Sequence, residues 1–367
     1  MRAHVFSRFH APTSRGAWPG VHQTYLLCRI LRHLGYEVIH YGCEGADPEI
    51  CTEHVCVALN GEIQEFCPDN TAAPPPASAF WVLTTSRAGL ALRERCNKGD
   101  LLFFGGTPRE QTIYQAVADL GIPVSYSVRQ DDCWTPYKVF PSQVYRHWWY
   151  AKNNCDCAWF IGDTAIPDAF EPSWYKLADG TESERCLFAG PATYAAGIDR
   201  AVTLARTWGR SLHVIGSGVS LALHGELHLT DSQLPQPLRA PDLFFSPTLP
   251  HARFLEEMRK CSCVLCPDRQ IVPFRRTAVE AMLSGVPVVA ADHSSYCEIV
   301  TQGIRTNDWI GLVAKRPSQL LSGASLRSYA QCRYAWIHQA DAYASFLQQV
   351  RLLHEHEYTT HYCGQKS

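Results

Sequence analysis

The chain has 367 residues, 46% of them hydrophobic and 19% charged, with a formal net charge of −2. That composition excludes a disordered chain, and the length suits two domains better than one core. The charge balance lacks the basic excess of a general nucleic-acid binder, although it leaves room for a local basic stripe.

No apolar run reaches the roughly 18 residues of a membrane helix, and the N-terminus MRAHVFSRFHAPTSRG has no cleavage-site pattern. A soluble, cytoplasmic protein is expected, with its 16 cysteines reduced. Cys155-x-Cys157 and Cys261-x-Cys263-x-x-Cys266 lack the paired spacing of a structural zinc site. They read as thiols, so no metal is expected.

In chain order, HVFSRF predicts a first strand, and SRGAWPG a glycine-containing loop. VHQTYLLCRILRHLG then predicts an amphipathic helix with Leu27, Ile30, Leu31 and Leu34 on one face. Gly35 stops it, and EVIHYG follows as the next strand. PDNTAAPPPASA reads as a surface loop. LLFFGG leads into a helix over REQTIYQAVADLG and then the strand IPVSYSVR. YRHWWYAKNN reads as a buried helix, with Arg146, His147, Trp148 and Trp149 as an alternative stacking surface for an acceptor. The turn-rich segment from Ile166 to Arg185 reads as an interdomain linker.

A second strand–loop–helix unit begins at CLFAGPATYAAGIDRAV, and LHVIGSG supplies the next strand. Further along, ARFLEEMRKC, SCVLCP, TAVEAMLSG and VPVVAAD alternate helix and strand, and the chain turns mostly helical from Ser325 to about His356. This alternation predicts parallel sheets with helices on both sides. The expected fold is α/β: two facing Rossmann-like domains at 1–165 and 166–325, then a C-terminal helical segment at 326–367, for which packing back on the first domain is one option. Ligands of such sheets bind beyond the carboxyl ends of the strands, here between the two domains.

PFRRTAVEAMLSGVPVVAADHSSYCEIV is the most informative stretch. It resembles the signature of the retaining glycosyltransferases with two Rossmann-like domains, the family-4 group of GT-B type. The resemblance rests on Pro273, Phe274, Glu280, Ala281, Met282, Gly285, Pro287, Val288, Val289, Ala290 and Glu298, with no gap in spacing. It extends more weakly to WPGVHQTYLLCRILRHLGYEV, AIPDAF and CLFAGPATYAAGIDRAV.

A helix N-terminus beside this motif suits a diphosphate. Thr277 is expected to open that helix. The resemblance implies that Glu280 accepts hydrogen bonds from a ribose. Phe274, Asp268, Gly190 and Gly216 are candidates for the same donor pocket, Arg269 beside them. Gly16 and Gly20 are candidates for a loop that approaches phosphates or acceptor.

The motif is also rewritten. Val272 stands where the family has its first Glu, Pro191 and Ala196 where it has Arg and Lys, and Arg129 where it often has His. A departing diphosphate needs cations, and Arg275 and Arg276 are the expected substitutes. His10, with Arg8, follows the first strand. Arg129, Asp131 and Asp132 follow another strand, and an Asp there is a candidate to orient an acceptor hydroxyl. Gly105, Gly106, Thr107 and Arg109 are candidates to line the same space.

The leading expectation is transfer of a sugar from a nucleotide-diphosphate sugar to a hydroxyl. The resemblance implies retention, no metal and no bound cofactor. A glycan, a lipid-linked sugar and a modified DNA base all remain as acceptors, and peripheral membrane contact is compatible. The altered motif supports an alternative: a non-catalytic sugar-nucleotide or glycan-binding protein with a decayed site. A sugar-nucleotide epimerase shares the architecture without a further motif. A dinucleotide oxidoreductase is disfavoured, since no G-x-G-x-x-G joins a strand to a helix.

Overall fold

The computed structural model describes residues 1–13, 19–66, 74–75, 78–129, 133–155, 161–178, 184–221, 227–229, 231, 243–307 and 323–356. The chain forms two compact units, one of Met1–Phe170 with Trp336–Ser367 and one of Glu171–Ala335.

The first unit holds a seven-stranded parallel sheet. Its strands are β1 (Arg2–Phe6), β2 (Glu37–Cys43), β3 (Glu53–Ala58), β4 (Leu101–Phe104), β5 (Ile122–Ser125), β6 (Tyr137–Phe140) and β7 (Asp163–Ala165). They are ordered β3-β2-β1-β4-β5-β6-β7. Its helices are α1 (Pro19–His33), α2 (Asn60–Phe66), α3 (Ala79–Arg95), α4 (Pro108–Gln115) and α5 (Gln143–Lys152). The run LLFF of β4 is buried throughout, as expected for a strand covered on both faces. Strand order reverses between β1 and β4, which makes their carboxyl ends the switch point of this sheet.

The second unit repeats the plan. Its strands are β8 (Arg185–Ala189), β9 (Ser211–Ile215), β10 (Val219–Leu221), β11 (Leu227–Leu229), β12 (Leu243–Ser246), β13 (Cys263–Cys266), β14 (Val288–Ala291) and β15 (Ile304–Thr306). Six of them form a parallel sheet ordered β12-β9-β8-β13-β14-β15, and β10 pairs with β11 as an antiparallel hairpin. Its helices are α6 (Ile198–Thr207), α7 (His251–Arg259), α8 (Arg276–Leu283), α9 (Tyr296–Ile299) and α10 (Gly323–Tyr334). Here order reverses between β8 and β13. The last helix, α11 (Trp336–Glu355), belongs to the first unit, where it packs against α1. The C-terminal helices are therefore divided at Ala335. At the junction the Trp336 N–H donates to the Phe170 carbonyl at 2.8 Å.

Several local expectations shift. The helix expected over REQTIYQAVADLG ends at Gln115, where the Ala116 N–H turns to the Ile113 carbonyl and tightens the last turn. Gly20 is the second residue of α1 and not part of a loop. Helix α8 opens at Arg276 with Arg275 at its N-cap, so Thr277 sits inside its first turn. Leu27, Ile30 and Leu31 are buried as one face of α1, and Leu34 lies just past its end. Gly35 and Gly285, at φ +82° and +73°, close α1 and α8 in the left-handed region that glycine adopts freely. Most of 68–79 lies outside the described residues.

Candidate functional site

In the second unit, the ends of β8, β9 and β13 meet the start of α8. Gly190, with φ +141°, ends β8, and a Cβ there would lie 3.1 Å from Nη2 of Arg275. Gly216, with φ +153°, ends β9, and a Cβ there would lie 2.1 Å from the Gly190 carbonyl oxygen. Only glycine allows these two strand ends to approach so closely. Gly197, the N-cap of α6, similarly presses on the Pro267 carbonyl.

The arginines that open α8 turn inward. Arg275 donates through Nη2 to the Ala189 carbonyl at 2.7 Å, and its Nη1 lies 3.7 Å from Oδ1 of buried Asp268. Tyr296 donates its hydroxyl to the other oxygen of Asp268, and His293 bonds the Asp268 carbonyl at 2.9 Å. Arg276 is buried and reaches Glu280, one turn on, at 3.5 Å. Glu280 Oε1 also takes a 3.0 Å hydrogen bond from Nε2 of His251. Burial alone would raise the Glu280 carboxyl; the His251 bond and the Arg276 charge outweigh it and hold the group below its ordinary range. Tyr175 packs into the same cluster, and burial followed by the Glu280 charge pushes its hydroxyl well up.

Three of the rewritten positions, Val272, Pro191 and Ala196, carry no charge. Ala196 is buried, and Pro191 offers neither charge nor N–H. Val272 is buried, and its N–H and carbonyl both bond the Ser294 hydroxyl, at 2.7 and 2.8 Å. Arg269 forms a fork with Asp199, both contacts at 2.7 Å, and lies 3.8 Å from the centre of the Tyr194 ring. Phe274 is buried against Tyr334, and Thr277 is half-buried. Helix α8 has no side-chain cap, so its first N–H groups keep their capacity for an anion.

In the first unit, the carboxyl ends of β1, β4 and β5 enclose a cavity of about 350 Å³ at the switch point. Arg8, His10, Trp81, Gly105, Arg109 and Arg129 are among its lining residues. Ser127, another lining residue, holds φ at +49°, which is strained for a residue with a side chain and recurs at functional sites. Its hydroxyl donates to Asp168 at 2.9 Å, and Arg129 pairs with the other oxygen of Asp168. Burial, then the charge of Arg8, lowers His10 to about 4, so it is a neutral imidazole near pH 7. Gly16, Asp131 and Asp132 lie outside the described residues.

Cys261 donates to the Glu257 carbonyl and Cys263 to the Cys186 sulfur at 3.5 Å, while Cys157 lies outside the described residues. Among the described residues, no helix is long and apolar enough to cross a membrane.

Sequence reasoning found the α8 motif but missed His251 and Tyr175 as partners of Glu280. It also missed Trp81 and Ser127 in the first unit. These residues come from segments with no motif of their own, and only the fold brings them together.

Residues 179–327 match the family model described as glycosyl transferases group 1. No curated protein sequence matches the chain. Among solved structures, the chain is similar to AviGT4, a glycosyltransferase involved in avilamycin A biosynthesis. The TM-score is 0.63 at 16% identity, over 96% of this chain and 98% of that one. It is similar to the sucrose-phosphate synthase of Thermosynechococcus elongatus, with TM-score 0.66 and 13% identity, over 95% and 99%. It is also similar to Alr3699/HepE of Anabaena, solved with UDP and glucose, with TM-score 0.61 and 12% identity, over 95% and 99%. At such identities the likeness carries the fold, which is that of the GT-B glycosyltransferases.

Proposed function

We propose that this GT-B chain, whose residues 179–327 match the glycosyl transferases group 1 family, is an enzyme that transfers a sugar from a nucleotide-diphosphate sugar to a hydroxyl acceptor. The observation that carries the reading is where the matched segment places its motif. Glu280 and the uncapped start of α8 stand beside the glycine-tipped ends of β8 and β9. That a fold neighbour was solved with UDP and glucose supports the same ligand class here.

In this reading the donor rests on the second unit. Backbone N–H groups of Ser217 and Gly218 and at the start of α8 receive the diphosphate, while those of Gly190 and Gly216 are committed to the Ile215 and Ser246 carbonyls at 2.9 and 3.0 Å. Fixed dipoles of this kind stabilise charge that grows on the leaving group as the glycosidic bond breaks. Arg275 and Arg276 act from beneath. Each is anchored by a carboxylate, and their residual field favours an anion at the helix start. Glu280, kept ionised by His251 and Arg276, accepts hydrogen bonds from the ribose. The first unit holds the acceptor in its switch-point cavity. Retention and metal independence belong to this proposal through the resemblance around α8, and a cytoplasmic site of action belongs to it as well.

The test is thermal stabilisation against nucleoside diphosphates and their sugar conjugates. A ligand at 100 times its Kd adds about 2.7 kcal/mol, a readable shift in Tm. Stabilisation by one nucleotide series supports the donor site. A folded sample indifferent to every nucleotide refutes it and favours a glycan-binding protein.

A further inference from the structure

The cavity of the first unit is lined by polar groups that divide sharply into spent and unspent ones. Gln23 is spent on the Ala169 backbone, whose N–H and carbonyl both lie at 3.2 Å from its amide. The Tyr126 hydroxyl donates to the Phe6 carbonyl at 3.0 Å. Glu110, the carboxylate among the lining residues, accepts from the Gly105 N–H, the Thr107 N–H and the Thr107 hydroxyl at 2.7–3.0 Å. Its carboxyl oxygens are thus committed to the entry of α4. Arg129 is matched by Asp168.

Two guanidinium groups stay unmatched. Arg8 and Arg109 line the cavity, and no carboxylate among the described residues pairs with either. Arg109 is held by stacking, its Cζ 4.5 Å from the centre of the Trp81 ring. A cation–π contact of this kind restrains the guanidinium without consuming its N–H donors. The His10 ring sits edge-on to Trp81 at 5.8 Å, and its Nδ1 has no hydrogen-bond partner among the described residues. The wall therefore presents two fixed or local positive charges, one neutral hydrogen-bonding imidazole and an aromatic surface.

We infer that this cavity binds an anionic saccharide, a sugar bearing a carboxylate or a phosphate, with Arg8 and Arg109 on the anion and His10 on a hydroxyl. The inference rests on the proposed transferase function for the choice of a saccharide; the anionic class comes from the unmatched arginines. Arg8 is exposed and Arg109 half-buried, so a neutral sugar would leave both guanidinium groups with water alone as counterpart. A carboxylate or phosphate takes charge-assisted, two-point contacts from arginine.

The test uses the full chain and four probes: methyl glucuronide, glucose 6-phosphate, methyl glucoside and inorganic phosphate. Binding is read by ligand-observed NMR, with the nucleoside diphosphate titration run on the same sample. One of the two anionic sugars is expected to bind at least about tenfold more tightly than the glucoside, the size of one charge-assisted contact. Which of them binds distinguishes a carboxylate from a phosphate acceptor. The advantage is expected to fall with added salt and to vanish in the double variant Arg8→Gln/Arg109→Gln, whose fold is checked by an unchanged nucleoside diphosphate titration and a cooperative unfolding transition. Equal or better binding of the glucoside overturns the inference, as does a preference that survives the double variant. Inorganic phosphate binding as tightly as glucose 6-phosphate overturns its saccharide part. Nucleotide binding without anionic preference defeats this inference alone. Anionic preference without nucleotide binding supports it and defeats the transferase reading.

Discussion

The two switch points use their charges in opposite ways. In the second unit, Arg275, Arg276 and Glu280 are buried or nearly so and answered by Asp268, His251 and each other. Apart from Glu280, proposed to accept from a ribose, what that unit offers a ligand is backbone: glycine-tipped strands and an uncapped helix start. In the first unit Arg8 and Arg109 line a cavity, and no carboxylate among the described residues pairs with either. The unit with the recognisable motif has internalised its charges, and the unit without one displays them. A charged residue inside a motif is therefore not automatically a ligand contact. Its partners decide.

The sharpest way to break this comparison is to delete one arginine from each side. Arg275→Ala strands the buried Asp268 carboxylate, and is expected to cost about 3–5 kcal/mol in denaturant unfolding. Arg109→Ala removes only the stack on Trp81 and should cost about 1 kcal/mol or less. Equal costs would erase the distinction. Next in size is Gly216→Ala, whose Cβ would collide with the Gly190 carbonyl oxygen at 2.1 Å and whose φ of +153° resists a side chain. A loss of about 2–3 kcal/mol is expected, together with nucleotide binding. Unchanged stability would contradict the close approach of the two strand ends.

Glu280→Gln keeps the shape and removes the charge that answers His251 and Arg276. A loss of about 2 kcal/mol is expected near neutral pH. Because the folded carboxyl lies below its ordinary range, the wild-type advantage is present above the unfolded value of about 4.3 and disappears as pH falls through the lower folded value. A difference independent of pH would assign Glu280 a packing role only.

The smallest effect lies away from both sites. His40 is buried against His54, their Nδ1 atoms 3.0 Å apart, and burial followed by that neighbour lowers it to about 3. The unfolded chain takes up this proton first as pH falls below about 6.5, so wild-type stability drops there. His40→Gln should reduce the loss between pH 7 and 5.5 by about 1 kcal/mol. Identical slopes would contradict a neutral, buried His40.

Legibility in the sequence followed the same divide. The stretch from Val272 to Asp292 reads directly because a 3.6-residue pattern, a stop glycine and a buried valine strand follow one another. They became α8, Gly285 and β14. Helix α3 was not legible, since its buried positions are Phe80, Thr84, Ala88, Gly89 and Leu92, and the small or polar members hide the period. The inward turn of Arg275 was equally hidden, because it depends on a carbonyl 86 residues earlier in the chain. The cavity was legible only in pieces. Arg8, His10, Arg109 and Arg129 were each suspected at a strand end, but Trp81 arrives from α3, and only sheet order makes them neighbours.

The account stands or falls on where a nucleotide lands. The most direct measurement is hydrogen exchange on the full chain with and without a saturating nucleoside diphosphate or nucleotide sugar. Slowed exchange is predicted at residues 188–192, 215–218 and 268–280, at the strand ends and the start of α8. Protection confined to the first unit, or a folded chain that binds no nucleotide at all, would contradict it.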